Sequence, residues 1–149
     1  LGPLIGEGIV QYNVTKVEDA SKRNALFYKN GVCGTTGSSY VKVKNPYSLK
    51  NQNGKIAILI NENTMSAGEM TVIAFMDKTN AKLFGQATAG YLTANKGFKL
   101  SDGSYLNIAS NFVLDRSKKV YLKNITPDVK VDKNSNPDVL STALDWINK

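Results

Sequence analysis

Ser66 is followed by Ala67 and Gly68 and then by Glu69, inside "NENTMSAGEM" (residues 61–70). A serine can do two things at such a place. Ser-x-x-Glu ahead of an apolar run is the pattern of a capping box, in which serine and glutamate satisfy free amides at the start of a helix. On that reading, replacing Ser66 by alanine costs about 1 kcal/mol of stability. A serine at a tight strand-to-helix turn also stands at the carboxyl edge of a sheet, where open α/β folds place their sites. There its hydroxyl can attack an acyl carbon, and the Ala67 amide is the nearest donor for the developing oxyanion. The two readings are compatible, and the local pattern leaves both open.

A serine nucleophile needs a base, and these 149 residues contain no histidine. That removes His-based zinc sites and any Ser-His or Cys-His pair contained wholly within this sequence. Cys33 is the single cysteine, so no intrachain disulfide exists; without a histidine beside it, it reads as an ordinary small residue. Net charge is +7, from 19 Lys+Arg against 12 Asp+Glu, but the lysines are scattered. Only Arg116, Lys118 and Lys119 cluster, with no aromatic residues interleaved as a nucleic-acid reader requires. The charge reads as a solvated basic surface, which leaves room for weak attraction to a cell wall or membrane.

The elements that must position Ser66 follow from periodicity. "KIAILIN" (55–61) is a continuous apolar run of the kind that suits a strand buried on both faces. From Ser66, Met70, Ile73, Ala74 and Asp77 recur at helical spacing, with Val72 and Phe75 widening the apolar side, and Lys78 suits the negative end of the helix dipole. "AKLFG" (81–85) returns as a strand, completing a βαβ unit with a right-handed crossover. Before this unit, 8–15 and 24–30 read as strands joined through the polar "KVEDASKR"; "GVCGTTGSS" is turn-rich, and 40–44 is a strand. After it, a small-residue loop (86–97) leads to a hairpin turned by Asp102-Gly103, then to strands in "KKVYL" and "ITPDVKV". A last helix takes Asn136 as N-cap and Pro137 as N1, with Val139, Leu140, Ala143, Leu144 and Ile147 as its apolar stripe. Hydrophobic residues at 42% and charged residues at 21% suit one globular α/β domain spanning 1–149, and no stretch approaches the roughly 20 apolar residues that cross a bilayer.

The ordered set of strand, "NENTMSAGE", helix, "LFGQATAG", "LSDGS", "ITPDVKV" and closing helix resembles the catalytic core of the C-terminal processing (tail-specific) serine peptidases. The likeness is closer to the branch of tricorn-type peptidases and photoreceptor retinoid-binding repeats than to the Ser-Lys branch, and it spans almost the whole sequence. It implies a crotonase/ClpP-like α/β core with a mixed sheet and flanking helices. It also implies Ser66 as nucleophile, the Ala67 amide as oxyanion donor, and Glu69 as a capping and structural group. Thr88, Gly90 and Tyr91 are expected to shape the pocket floor. In the Ser-Lys branch a lysine follows the "G-x-x-T-x-G" element; here Tyr91 stands in its place, and a tyrosine with an ordinary pKa near 10 is a poor base. Lys96 and Lys99 are the alternative lysines, and both read as surface groups on a strand.

The tricorn-like branch draws its histidine and a glycine-rich oxyanion loop from earlier sequence. The chain begins without Met and in mid-pattern, so it is expected to be the C-terminal portion of a larger catalytic domain, catalytically silent by itself. Asn124 and Asp128 are the candidates for a further relay member. The expected partner is a peptide or protein substrate, with no metal or organic cofactor. Self-association would cover sheet surface left bare, and export to a bacterial envelope or beyond suits the family. Two other classes stay open: a peptidase-derived module that holds an apolar ligand or peptide without cleaving it, and an acyl-CoA enzyme on the same scaffold, for which the glycine-rich loops are not evident.

Overall fold

The computed structural model describes residues 1–18 and 23–149. It is a mixed α/β structure. Six strands form one antiparallel sheet in the order β4-β3-β2-β1-β8-β7: β1 (Gly8–Val14), β2 (Asn24–Lys29), β3 (Val32–Thr35), β4 (Ser38–Lys42), β7 (Thr93–Lys99) and β8 (Tyr105–Leu114). Three form a parallel sheet in the order β5-β6-β9: β5 (Ile56–Ile60), β6 (Ala81–Gly85) and β9 (Val129–Lys130). The helices are α1 (Gly2–Ile5), α2 (Ala67–Phe75) and α3 (Val139–Asn148).

Helix α2 joins the two sheets because its apolar residues run around more than one face. Val72 and Ile73 pack with Ile60 and Leu83 of the parallel sheet and with Leu92, Val113 and Ile125. Ala74 and Phe75 pack with Ile5 and Val10. Full burial of a side chain such as Ile73 contributes about 1.5–3 kcal/mol, so the segment after Ser66 is anchored from both sides. The β5–α2–β6 unit is present with β5 and β6 in parallel register, Ile56 opposite Ala81 and Ile60 opposite Gly85. Gly85, at φ 116°, is required there: a Cβ would stand 2.2 Å from the Ile60 carbonyl oxygen.

Several expectations need correction. Strand β5 is not buried on both faces: it lies at an edge of its sheet, and Leu59 is 45% exposed. The helix after Ser66 stops at Phe75; Asp77 and Lys78 lie beyond it, and Lys78 Nζ donates to the Ile5 carbonyl at 3.3 Å instead of serving the helix end. The turn-rich 31–39 segment contains β3 and the start of β4; Gly34 marks a close backbone approach, since a Cβ there would meet the Ser38 carbonyl at 2.2 Å. β7 begins inside the expected 86–97 loop, and "KKVYL" contributes only a single bridge, Val120 to Leu114. The N-cap of α3 is Asp138, not Asn136, so Pro137 precedes the cap instead of opening the helix. Of the α3 stripe, Ala143 is buried, while Leu140, Leu144 and Ile147 are exposed. Trp146 supplies the packing in their place, against Phe84 at 5.5 Å between ring centroids. The connection between β1 and β2 falls partly on residues 19–22, outside the described residues.

Candidate active site

The Ser66 turn is built from the end of β5. Thr64 N donates to Asn61 O at 2.9 Å, and Asn61 N donates to Thr64 Oγ1 at 3.2 Å, closing one turn. A second follows at once, with Gly68 N donating to Met65 O at 2.9 Å and Ser66 as its first central residue, at φ 49° and ψ −112°. These angles match a type II′ turn, the mirror image of type II at about +60° and −120°. That position ordinarily takes glycine, and a side-chain-bearing residue there is strained by about 1–3 kcal/mol. The strained turn turns the serine outward: Ser66 and Ala67 are both exposed. Among the described residues the Ala67 amide has no hydrogen-bond partner.

Ser66 and Glu69 stand as the reciprocal pair of a capping box, the Ser66 hydroxyl facing the Glu69 amide and the Glu69 carboxylate facing the Ser66 amide, but the hydroxyl's half falls short of full hydrogen-bond geometry. The bond formed at full geometry runs the other way, from the Ser66 amide to Glu69 Oε2 at 3.0 Å. Glu69 is fully buried. Its Oε1 accepts from Thr88 Oγ1 at 2.5 Å and from the Gly90 amide at 2.7 Å. Burial of a carboxylate is tolerated where hydrogen bonds replace the lost water, and here three donors converge on one group. Ala89 N adds a bond to Thr64 O at 2.9 Å, so residues 88–90 are fastened to both turns of the Ser66 loop.

The structure thus brings Ser66, Ala67, Glu69, Thr88 and Gly90 together. Tyr91, the next residue, stands 63% exposed and makes no hydrogen bond in this network. Lys96 and Lys99 are exposed on β7 and take no part in the network; Lys96 Nζ lies 5.2 Å from the Phe98 ring centroid. Asp128 Oδ2 accepts from the Leu83 amide at 2.7 Å, inside the parallel sheet. Asn124 lies beside Gly90: a Cβ built on Gly90, at φ 92°, would be 3.4 Å from the Asn124 amide nitrogen. Two members of this network, the Thr64 carbonyl and the Ile125 amide that donates to Thr88 Oγ1, are backbone groups and carry no residue signature. Among the described residues no three His, Cys, Asp or Glu side chains gather as a metal site requires.

Two cavities flank the turn. One, of about 420 Å³, opens at the carboxyl ends of the parallel strands beside Ile60, Asn61, Thr64, Gly85 and Gln86. The other, of about 460 Å³, runs between α2 and the antiparallel sheet, lined by Met70, Thr71 and Ala74 and facing Tyr28, Val41 and Val43.

The model for peptidase family S41 matches residues 4–131. The nisin-resistance protein of Lactococcus lactis subsp. lactis is 36% identical over 149 residues, covering 99% of this chain and 43% of that protein. A solved lipoprotein from Streptococcus agalactiae is similar at 25% identity and a TM-score of 0.67, over 98% of this chain and 46% of its own. The photosystem II D1 C-terminal processing protease shares the fold, with a TM-score of 0.61 at 18% identity, over 95% of this chain and 33% of its own. The chain spans less than half the length of each of these relatives.

Proposed function

The chain belongs to peptidase family S41, and from that premise we propose that Ser66 is the nucleophile of a serine-type peptidase. Ser66 attacks a peptide carbonyl to form an acyl-enzyme, and the Ala67 amide donates to the oxyanion. One observation carries this reading: the serine is exposed on a strained turn, and the capping-box bond of full geometry there runs from the Ser66 amide to the buried Glu69 carboxylate, which leaves the hydroxyl only loosely held. The base comes from outside these residues, since no histidine is present and neither Lys96 nor Lys99 joins the network. On this reading the protein is nearer the tricorn-like branch, on a crotonase/ClpP-like core, than the Ser-Lys branch; the lack of a histidine, and of a networked lysine among the described residues, supports it. Of the two candidate relay members we favour Asn124, because the Asp128 carboxylate is committed to the Leu83 amide. Substrates are peptides or proteins. The likeness to a nisin-resistance protein and a lipoprotein supports work at a bacterial envelope. In the full-length protein, Ser66→Ala should abolish cleavage of unfolded casein; turnover close to wild type would remove Ser66 from the role.

The apolar cleft beside Met70 and Ala74 favours a second reading, a module that holds an apolar ligand without cleaving it. Full-length protein that binds an apolar fluorophore in this cleft, yet shows no peptidase activity and no covalent labelling of Ser66, would select that reading.

A further inference from the structure

We propose that Thr88 is a positioning residue for the Ser66 turn, acting through Glu69; its catalytic consequence rests on the reading of Ser66 as nucleophile. Thr88 is 3% exposed and makes a polar contact on each side. Its Oγ1 accepts from the Ile125 amide at 2.9 Å, and its own amide donates to Ile125 O at 3.0 Å. A threonine hydroxyl has one proton. With Ile125 N–H as donor to the oxygen, that proton goes to Glu69 Oε1, 2.5 Å away. Thr88 and the Gly90 amide together occupy Oε1, which leaves Oε2 aimed at the Ser66 amide at 3.0 Å. The rotation of the Glu69 carboxylate is therefore set by a residue 19 positions away, itself held by a backbone 37 positions further on.

The bond from Ser66 N to Glu69 closes on the residue at φ 49°. If the carboxylate turns, the strained backbone loses its partner and relaxes toward ordinary angles. The hydroxyl then moves off its line of attack, and a misplacement of about 1 Å costs on the order of a hundredfold in rate. Thr88 touches neither nucleophile nor substrate, so its effect is on placement alone.

The test is a graded series in the full-length protein: Thr88→Ser keeps the hydroxyl, Thr88→Cys keeps a weak donor, and Thr88→Val keeps the shape and removes donor and acceptor. Two quantities are read well below every melting transition. The first is the rate at which a fluorophosphonate probe labels Ser66; the second is hydrogen exchange of residues 61–70 by mass spectrometry. Labelling is expected to stay within about threefold of wild type for Ser, and to fall about tenfold to a hundredfold for Val, with Cys between. Exchange should rise in the same order. If Val does not fold, the Ser-to-Cys ordering still decides. Unchanged labelling and exchange in folded Val or Cys variants would overturn the proposal and leave Thr88 a structural contact. Graded exchange with a wild-type Ser66 that never labels would uphold the positioning and remove only the nucleophile reading.

Discussion

Helix α3 begins at Asp138, with φ −72° and ψ 175°, and its Oδ1 accepts from the Ser141 amide at 2.7 Å. Helix α2 begins at Ser66, with φ 49° and ψ −112°, and its hydroxyl forms only the looser half of a capping box with the Glu69 amide. The first is an N-cap of the usual kind: extended backbone, a side-chain oxygen on the third amide, everything within three residues. The second lends its own amide to Glu69, three residues on, and that carboxylate is fixed in turn from residues 88 and 90. Asp138 needs only its neighbours and sits in water; Glu69 is fully buried and depends on distant chain. A helix start that serves stability alone is built locally. The start of α2 is built so that one serine stays turned outward and loosely held, and the protein spends long-range hydrogen bonds to keep it there.

The largest stability effect that separates the two caps is expected from Glu69→Gln. The glutamine has the same shape but one acceptor oxygen, so its NH₂ must face either the Ser66 amide or the Thr88 and Gly90 donors. Leaving a buried donor unpaired in this way costs on the order of 3 kcal/mol, read from urea unfolding of the full-length protein, together with loss of probe labelling at Ser66. A cost below about 1 kcal/mol would mean the network tolerates an unpaired group and does not hold the turn.

Asp138→Ala comes next. It should lower the melting temperature while leaving labelling of Ser66 unchanged. The Asp138 carboxyl is held below its ordinary value, first by the hydrogen bond from the Ser141 amide. A carboxyl lowered in the native state stabilises fully above its unfolded pKa, near 3.9, and loses that contribution as pH falls through the lowered native value. The difference in melting temperature between wild type and Asp138→Ala should therefore be constant near neutrality and shrink in strong acid. Asp138→Asn, a good cap without the charge, should not show that acid dependence. A difference that persists unchanged in acid would contradict the cap.

The smallest stability effect is expected at Ser66. A well-formed cap predicts a loss of about 1 kcal/mol for Ser66→Ala; because the hydroxyl's half of the capping box falls short of full geometry, the change should stay at about 0.5 kcal/mol or less. Ser66→Gly should raise stability by up to about 1 kcal/mol, since glycine adopts the turn without strain. If Ser66→Ala loses as much as a true cap does, the contrast between the two helix starts collapses.

Much of the frame of this site could be read from the sequence. The run 55–61, the Ser-x-x-Glu pattern and the return at 81–85 specify strand, turn, helix and strand within thirty or so residues, where local periodicity is a reliable guide. The misreadings have physical reasons. An apolar run looks the same whether a strand is central or at an edge, so the exposure of Leu59 could not be seen. Asn136 and Asp138 are both good N-cap types two residues apart, and residue type alone does not say that it is Asp138 whose side chain reaches a helix amide, that of Ser141. Gly34 reads as a turn but serves a close approach to Ser38 where the β3–β4 pairing shifts register, a matter of who lies opposite. The bond from Ile125 to Thr88 spans 37 positions and involves a backbone amide, so nothing in the residue types announces it.

The central claim, that Ser66 is a nucleophile turned outward from its helix start, is tested most directly by treating the full-length native protein with a fluorophosphonate probe and mapping the adduct by peptide mass spectrometry. The label is predicted on Ser66, absent from Ser66→Ala and absent after prior unfolding. Full-length protein that cleaves unfolded casein while Ser66 remains unmodified, or that carries the label on another residue, would contradict it.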